Sequence, residues 1–181
     1  MTEQDFYKLK YPLGEFNKPD SITSEQIEDW IASIEALPKS IDSITKNLSE
    51  DKLNYKYRPE GWTIKQVVHH CADSHINSII RFKLALTEDK PRIKPYFEDR
   101  FAKLIDYNEP IDASLSILTG VHKKLVVLLK TLNQDDLKRE FIHPEYGKHF
   151  SLEETIGFYS WHSNHHLAHV KQALNFKEKF N

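Results

Sequence analysis

The chain is poor in cysteine, in glycine and in charge of either excess sign, and each shortage excludes something. Cys71 is the only cysteine among 181 residues, so no intramolecular disulfide can form, and a reducing compartment suits the chain. Glycine occurs only 5 times, which disfavours Gly-rich phosphate loops and β-rich folds with many tight turns. A formal net charge of −2 leaves no basic stripe for nucleic acid or anionic lipid. No apolar run approaches the roughly 20 residues that span a bilayer. The polar, acidic opening Met1-Thr2-Glu3-Gln4-Asp5 has no apolar h-region, so no secretory signal is expected and the default location is the cytoplasm. A content of 39% hydrophobic and 29% charged residues then describes a globular chain with enough length for one sizeable core.

Helical periodicity organises that core. Residues 1–22 carry Pro12, Gly14 and Pro19 and read as an extended N-terminal arm, leaving 23–181 as a single domain. Thr23-Ser24-Glu25-Gln26 fits a capping box and opens a first helix with Ile27, Trp30, Ile31, Ile34 and Leu37 at helical spacing. Pro38 is expected to kink or split that helix before Ile41, Ile44 and Leu48 resume the period. Arg58-Pro59-Glu60-Gly61 reads as a turn. Thr63 caps a second helix over 64–87, with Ile64, Val67, Val68, Cys71, Ile79, Phe82 and Leu86 on its stripe. After a Pro-bearing connection with a short helix near Phe101–Ile105, Asp112 opens a third helix. Its stripe runs through Leu115, Leu118, Val121, Leu125, Leu128, Leu129 and Leu132. Arg139–Phe150 reads as a loop or short hairpin, and Ser151-Leu152-Glu153-Glu154 starts a fourth helix to about Asn175. The expected fold is an all-α four-helix bundle, whose long connections allow topologies other than simple up-down. Capping and the helix dipole account for Glu153 and Glu154.

The fourth helix carries the most informative pattern. Trp161-His162-Ser163-Asn164-His165-His166-Leu167-Ala168-His169 holds four of the chain's 10 histidines. On a helix these four side chains fall within an arc of roughly 100°. His162/His166 and His165/His169 both have the i, i+4 spacing that lets two imidazoles share one ion. Helix 2 adds His69, His70 and His75. Periodicity centres His75 on the apolar stripe as a hydrogen-bonded core residue and sets His69 and His70 roughly 130° off it on opposite sides, toward the rim. A transition-metal site between the two helices follows, since neutral imidazole suits zinc, nickel, copper and iron. The spacing alone leaves open which histidines belong to it. Asp73, one turn after His70, is a candidate acceptor that could orient a ligand, or an ordinary surface acid.

Several blocks resemble one family. Tyr11-Pro12-Leu13-Gly14-Glu15, Gly61-Trp62-Thr63-Ile64-Lys65-Gln66-Val67-Val68-His69-His70-Cys71-Ala72-Asp73-Ser74-His75, Arg81-Phe82-Lys83 and Trp161 through His169 are similar to the YfiT-type metal-dependent hydrolases of the DinB-like superfamily. The resemblance runs over nearly the whole chain. It implies a four-helix bundle, a homodimer, and one divalent ion, zinc or nickel, held by three histidines. Residue by residue it implies His70, His162 and His166 as the ligands, which selects His70 over His75. His165 and His169 then become supporting polar residues. Trp62 and Trp161 read as core anchors, with the resemblance bringing Trp161 near the site. Cys71 stands where the family usually has leucine and reads as a small buried apolar residue.

Three ligands and an open position describe a catalytic site, and four ligands a structural one. An ion held by neutral imidazoles would acidify a water and polarise a carbonyl, or hold a thiol as thiolate. The resemblance therefore implies hydrolysis of a small amide- or ester-like substrate. Its extension to bacillithiol and mycothiol S-transferases supplies an alternative, transfer of a low-molecular-weight thiol to an electrophile. A metal-stabilised binding module is the non-enzymatic third reading. No partner among nucleic acids or membranes is expected. On this reading His75→Ala leaves metal content intact and lowers only thermal stability.

Overall fold

Helix starts are set by short polar caps. Thr23 and Thr63 each close a capping box, with Gln26 and Gln66 respectively, opening α2 (Ser24–Thr45) and α4 (Ile64–Thr87). Asp112–Leu129 forms α6, and Ser151 caps α8 (Leu152–Phe176) through the Glu154 backbone N–H. A computed structural model describes residues 1–145 and 147–181. Shorter pieces fill the connections: α1 (Glu3–Lys10), α3 (Glu50–Leu53), α5 (Glu98–Phe101) with a 3-10 turn at Ile105–Asn108, and α7 (Gln134–Leu137). A closing 3-10 turn spans Lys177–Phe180. An antiparallel hairpin of β1 (Glu140–His143) and β2 (Lys148–Ser151) leads into α8, with Tyr146 of its turn outside the described residues. The turn at Arg58–Gly61 forms as expected, closed by the Gly61 N–H on the Arg58 carbonyl at 3.0 Å. The arm departs from expectation. Thr2 and Asp5 make a reciprocal cap of their own, so residues 3–10 are helical rather than extended. The short helix expected near Phe101–Ile105 resolves into α5 and the 3-10 turn on either side.

The four long helices form a ring in which α2 packs on α8 and α6, and α4 packs on α6 and α8. Consecutive helices α2 and α4 therefore sit diagonally, as do α6 and α8, which the long connections permit. No helix among the described residues is long and apolar enough to cross a membrane. At Gly157 the α2–α8 contact is close enough that a Cβ would stand 2.9 Å from the Trp30 ring.

The core is two clusters, not one. Ile27, Ile31, Ile34, Ile79, Phe82, Leu125, Leu152, Ile156 and Tyr159 belong to one, and Leu37, Ile41, Val67, Val68, Cys71, Leu118 and Val170 to the other. Between these levels lie His75 on α4, His122 on α6, and His162 and His166 on α8, all buried. The level on α2 is marked by Pro38. Pro38 stays inside a continuous α2 rather than splitting it. A proline cannot donate to the carbonyl four residues back. That carbonyl, of Ile34, accepts instead from His122 Nδ1 at 2.7 Å. His69 and His70 are buried as well, against the rim positions that periodicity assigns them. The apolar-stripe argument assumes a helix covered on one side, whereas α4 is also covered by α3, β1 and the turn at 105–108.

Burial holds the His122 ring to a pKa of about 4, below the usual 6.5, while its bond to Ile34 opposes the shift. The folded state thus refuses a proton that the unfolded state takes below pH 6.5. This contribution is complete above pH 6.5 and is lost as pH falls toward 4, at about 1.4 kcal/mol per pH unit. In His122→Gln, which keeps a donor without titrating, the fall in unfolding free energy with acid should be shallower by about that slope. Denaturant melts at several pH values measure it, and parallel profiles would refute the assignment.

Candidate metal centre

Contacts between α4 and α8 run antiparallel, from His70 with His162 and His166 to Arg81 with Tyr159. His70 Nε2 and His162 Nε2 stand 3.3 Å apart. His166 completes the set: one ring nitrogen from each of the three lies within 4.8 Å of the others. Two nitrogens bound to one tetrahedral ion at 2.0–2.1 Å are separated by roughly 3.3–3.4 Å, so the observed spacing suits such an ion. Protonation suits it too. Burial, reinforced by neighbouring imidazoles, pushes all three rings well below the ordinary histidine range, His70 to about 3, so each offers a free lone pair at neutral pH. The buried Nδ1 atoms of His70 and His166 have no partner among the described residues, while His70 Nε2 faces His162 Nε2.

His75 is buried as expected, but it also touches the cluster. Its Nε2 lies 3.2 Å from His162 Nδ1. For His162 to offer Nε2 to an ion, its proton must sit on Nδ1 and be donated to His75, whose own proton is then on Nδ1. The opposite face of His75 stacks on His122, ring centres 4.6 Å apart. His75 thus touches a candidate ligand as well as filling the core.

The remaining sequence candidates fall around the cluster. His69 is occupied by the fold, with Nε2 donating to the Glu109 carbonyl at 3.1 Å and Nδ1 facing Ser114 Oγ at 2.8 Å. Asp73 accepts the Tyr107 hydroxyl at 2.8 Å, and no hydrogen bond among the described residues joins it to an imidazole. His165 stacks on Trp161, centres 4.5 Å apart, and lies near Tyr11. His169 stacks on Tyr57 at 3.8 Å and donates to the Lys10 carbonyl at 3.1 Å. Both thus face the N-terminal arm, which is anchored again by Trp161 Nε1 on the Gly14 carbonyl at 3.0 Å. Cys71 is buried, with burial lifting its thiol to about 12, and so behaves as an apolar residue. Glu154, read as a cap, sends its carboxylate instead to Lys18 and Lys148, at 3.2 and 3.0 Å.

The cluster opens into a cleft of about 280 Å³ lined further by Trp62, Ser74, Arg81, Tyr96, Glu98, His143, Glu145, Phe158 and Trp161. Sequence reasoning missed Arg81, Tyr96, Glu98 and Glu145 as cleft residues. Tyr96 and Glu98 come from the 88–110 connection, pinned to β1 by Ile93 N–H on the Ile142 carbonyl and Ile142 N–H on that of Pro91. Glu145 comes from the hairpin turn. No periodicity marks such segments.

His162→Ala and His166→Ala should abolish binding of a divalent ion, since two imidazoles hold one poorly. His75→Ala should weaken it by about 10–100-fold through misorientation of His162. Chelator competition measures both, and unchanged affinity in His75→Ala would show that the Nδ1 contact does not orient the ligand.

The DinB superfamily model matches residues 26–170. A relative from Oceanobacillus iheyensis, named "Putative metal-dependent hydrolase", is 46% identical over 169 residues, covering 93% of this chain and 98% of the relative. One of the same name from Bacillus cereus is 49% identical over 171 residues with the same coverage. Among solved structures, YfiT from Bacillus subtilis, described as "a probable metal-dependent hydrolase with an unusual four-helix bundle topology", superimposes with a TM-score of 0.90 at 41% identity, over 93% of this chain and 97% of that one. The chain belongs to the DinB superfamily.

Proposed function

We propose that the protein is a metal-dependent hydrolase in which His70, His162 and His166 hold one divalent ion, zinc or nickel, and the substrate is a small amide or ester. The convergence of three neutral imidazole nitrogens within 4.8 Å, at the floor of an open cleft, carries this reading. When bound, the ion supplies Lewis acidity, acidifying water and polarising a carbonyl. The chain supplies the rest. Burial disfavours protonation of the three rings, and His75 Nε2 is placed to accept from His162 Nδ1, the tautomer that frees His162 Nε2 for an ion. Trp62, Phe158 and Trp161 form apolar walls that limit water and strengthen local electrostatics. Glu98 and Glu145, exposed at the cleft, are the carboxylates available to take a proton from an attacking water and return it to the leaving group.

A second reading has its own support: no carboxylate among the described residues is hydrogen-bonded to the three histidines. Thiol transfer needs none. A substrate thiol gives up its proton to solvent, its sulfur forms a bond to an electrophilic carbon, and the leaving group departs with the electron pair of the bond that breaks and takes up a proton from solvent. The three-ligand count and the open cleft favour either reaction over a closed, purely structural site.

Elemental analysis of the purified protein should find about one divalent ion per chain, and a protein that neither carries nor takes up an ion would overturn the site. A panel assay of the zinc- or nickel-loaded protein should then show amide or ester hydrolysis without added thiol. Turnover only with a low-molecular-weight thiol and an electrophile would replace the hydrolase reading by the second one.

A further inference from the structure

Arg81 has no acid. Its Nη1 donates to the Tyr159 hydroxyl at 3.1 Å, and its Nε is buried without a hydrogen-bond partner. No ion pair among the described residues includes it. The residue as a whole is half-buried, and a guanidinium partly withdrawn from water usually brings a carboxylate with it, because its desolvation otherwise goes uncompensated. Glu154, buried and lining a pocket with Arg81, is committed to two lysines, and half-buried Asp73 on the same helix is committed to Tyr107. Glu98 and Glu145 share the cleft with Arg81 but remain exposed and outside ion-pair distance.

Its position gives the missing partner a direction. Arg81 lines both the histidine cleft and a second pocket of about 620 Å³, and His143, Phe158 and Trp161 are likewise common to the two. The second pocket has aromatic walls from Phe16, Phe141, Phe150, Phe158 and Trp161. Of its other charged residues, Lys18 and Lys148 both pair with Glu154, and exposed Glu15 accepts from the Tyr7 hydroxyl. The guanidinium thus stands at the junction between a metal-binding cluster and an apolar chamber.

We propose that Arg81 binds a carboxylate of the substrate, whose aromatic or bulky apolar body fills the larger pocket while its reacting group reaches the three histidines. The planar fork of donors matches a carboxylate in two-point contact, which would also satisfy the buried Nε. This names the substrate class of the reaction proposed above and rests on that site being the reaction centre: an anionic, apolar-bodied amide, ester or thiol acceptor rather than a neutral or cationic one.

The test is calorimetric titration of zinc-loaded and chelator-stripped full-length protein with phenylacetate and hydrocinnamate, and with their neutral amides. Wild type should bind at least one acid in preference to its amide, in both metal states. Arg81→Gln should weaken the acid by about tenfold to a hundredfold and leave the amide unaffected. Arg81→Lys should recover part of the loss, and Tyr159→Phe, which removes only the hydroxyl that Arg81 bonds, should keep the preference. Thermal melts and zinc content on each variant separate folding and metal loss from loss of the subsite. The proposal falls if wild type binds neither acid saturably, or if Arg81→Gln binds as well as wild type. It falls equally if acid binding disappears on stripping zinc whatever residue 81 is, since the carboxylate then sits on the ion. A protein that binds no zinc yet discriminates acids through Arg81 would remove the hydrolase reading and leave the subsite standing.

Discussion

Burial of neutral imidazole at the mid-level of the bundle is the constraint from which the rest follows. All the chain's histidines except His149 are buried. An imidazole withdrawn from water must lose its proton and find partners, or it destabilises the fold. The bundle splits its apolar core into two clusters, and His75, His122, His162 and His166 lie in the layer between. Each long helix contributes at that level, α2 through the Ile34 carbonyl that Pro38 leaves unbonded. One residue, His122, repairs the proline defect and carries the stack that backs His75 and, through it, His162. The same physics that makes the layer costly to protonate makes three of its members good ligands.

The site is completed by segments that are not part of the bundle. The arm lies across α8, with backbone carbonyls of Lys10 and Gly14 accepting from His169 and Trp161. This occupies the outer i, i+4 pair of the histidine stripe and leaves the inner pair free to face α4. On the other side, the hairpin and the 88–110 connection are held to the end of α4. Arg139 donates to the Ala85 and Glu88 carbonyls, at 2.6 and 3.0 Å, and covers carbonyls that the helix end would leave bare. These attachments bring Tyr96, Glu98, His143 and Glu145 over the cluster. The bundle thus supplies the three-histidine cluster, and the connections supply the cleft and the polar groups that line it.

Functionally, the ligand set constrains less than its surroundings do. Three neutral imidazoles leave an ion its full charge and serve hydrolysis or thiol activation alike. What differs between chemistries is the presence of a proton acceptor and the shape and charge of the adjoining space. Here the acceptors are exposed, the walls are aromatic, and Arg81 at the cleft has no ion pair among the described residues.

Much of the architecture was legible in the chain. The T-x-x-Q boxes at Thr23 and Thr63 and the apolar stripes located the long helices, and the stripe from His162 to His169 with His70 located the cluster. These are local signals: caps and i, i+4 spacing depend on neighbours in sequence, and family resemblance chose among the histidines where spacing could not. The burial of His69 and His70, the continuity of α2 through Pro38, the contact of His75 with His162, the diversion of Glu154 to two lysines, and the lack of an ion pair at Arg81 among the described residues were decided only by tertiary structure. Each depends on a partner from a distant segment, and α4 is covered on more faces than one stripe can announce. The sequence by itself determined the four long helices and the histidine stripe on the last of them. Packing determined which of those side chains are satisfied, and therefore which remain free for chemistry.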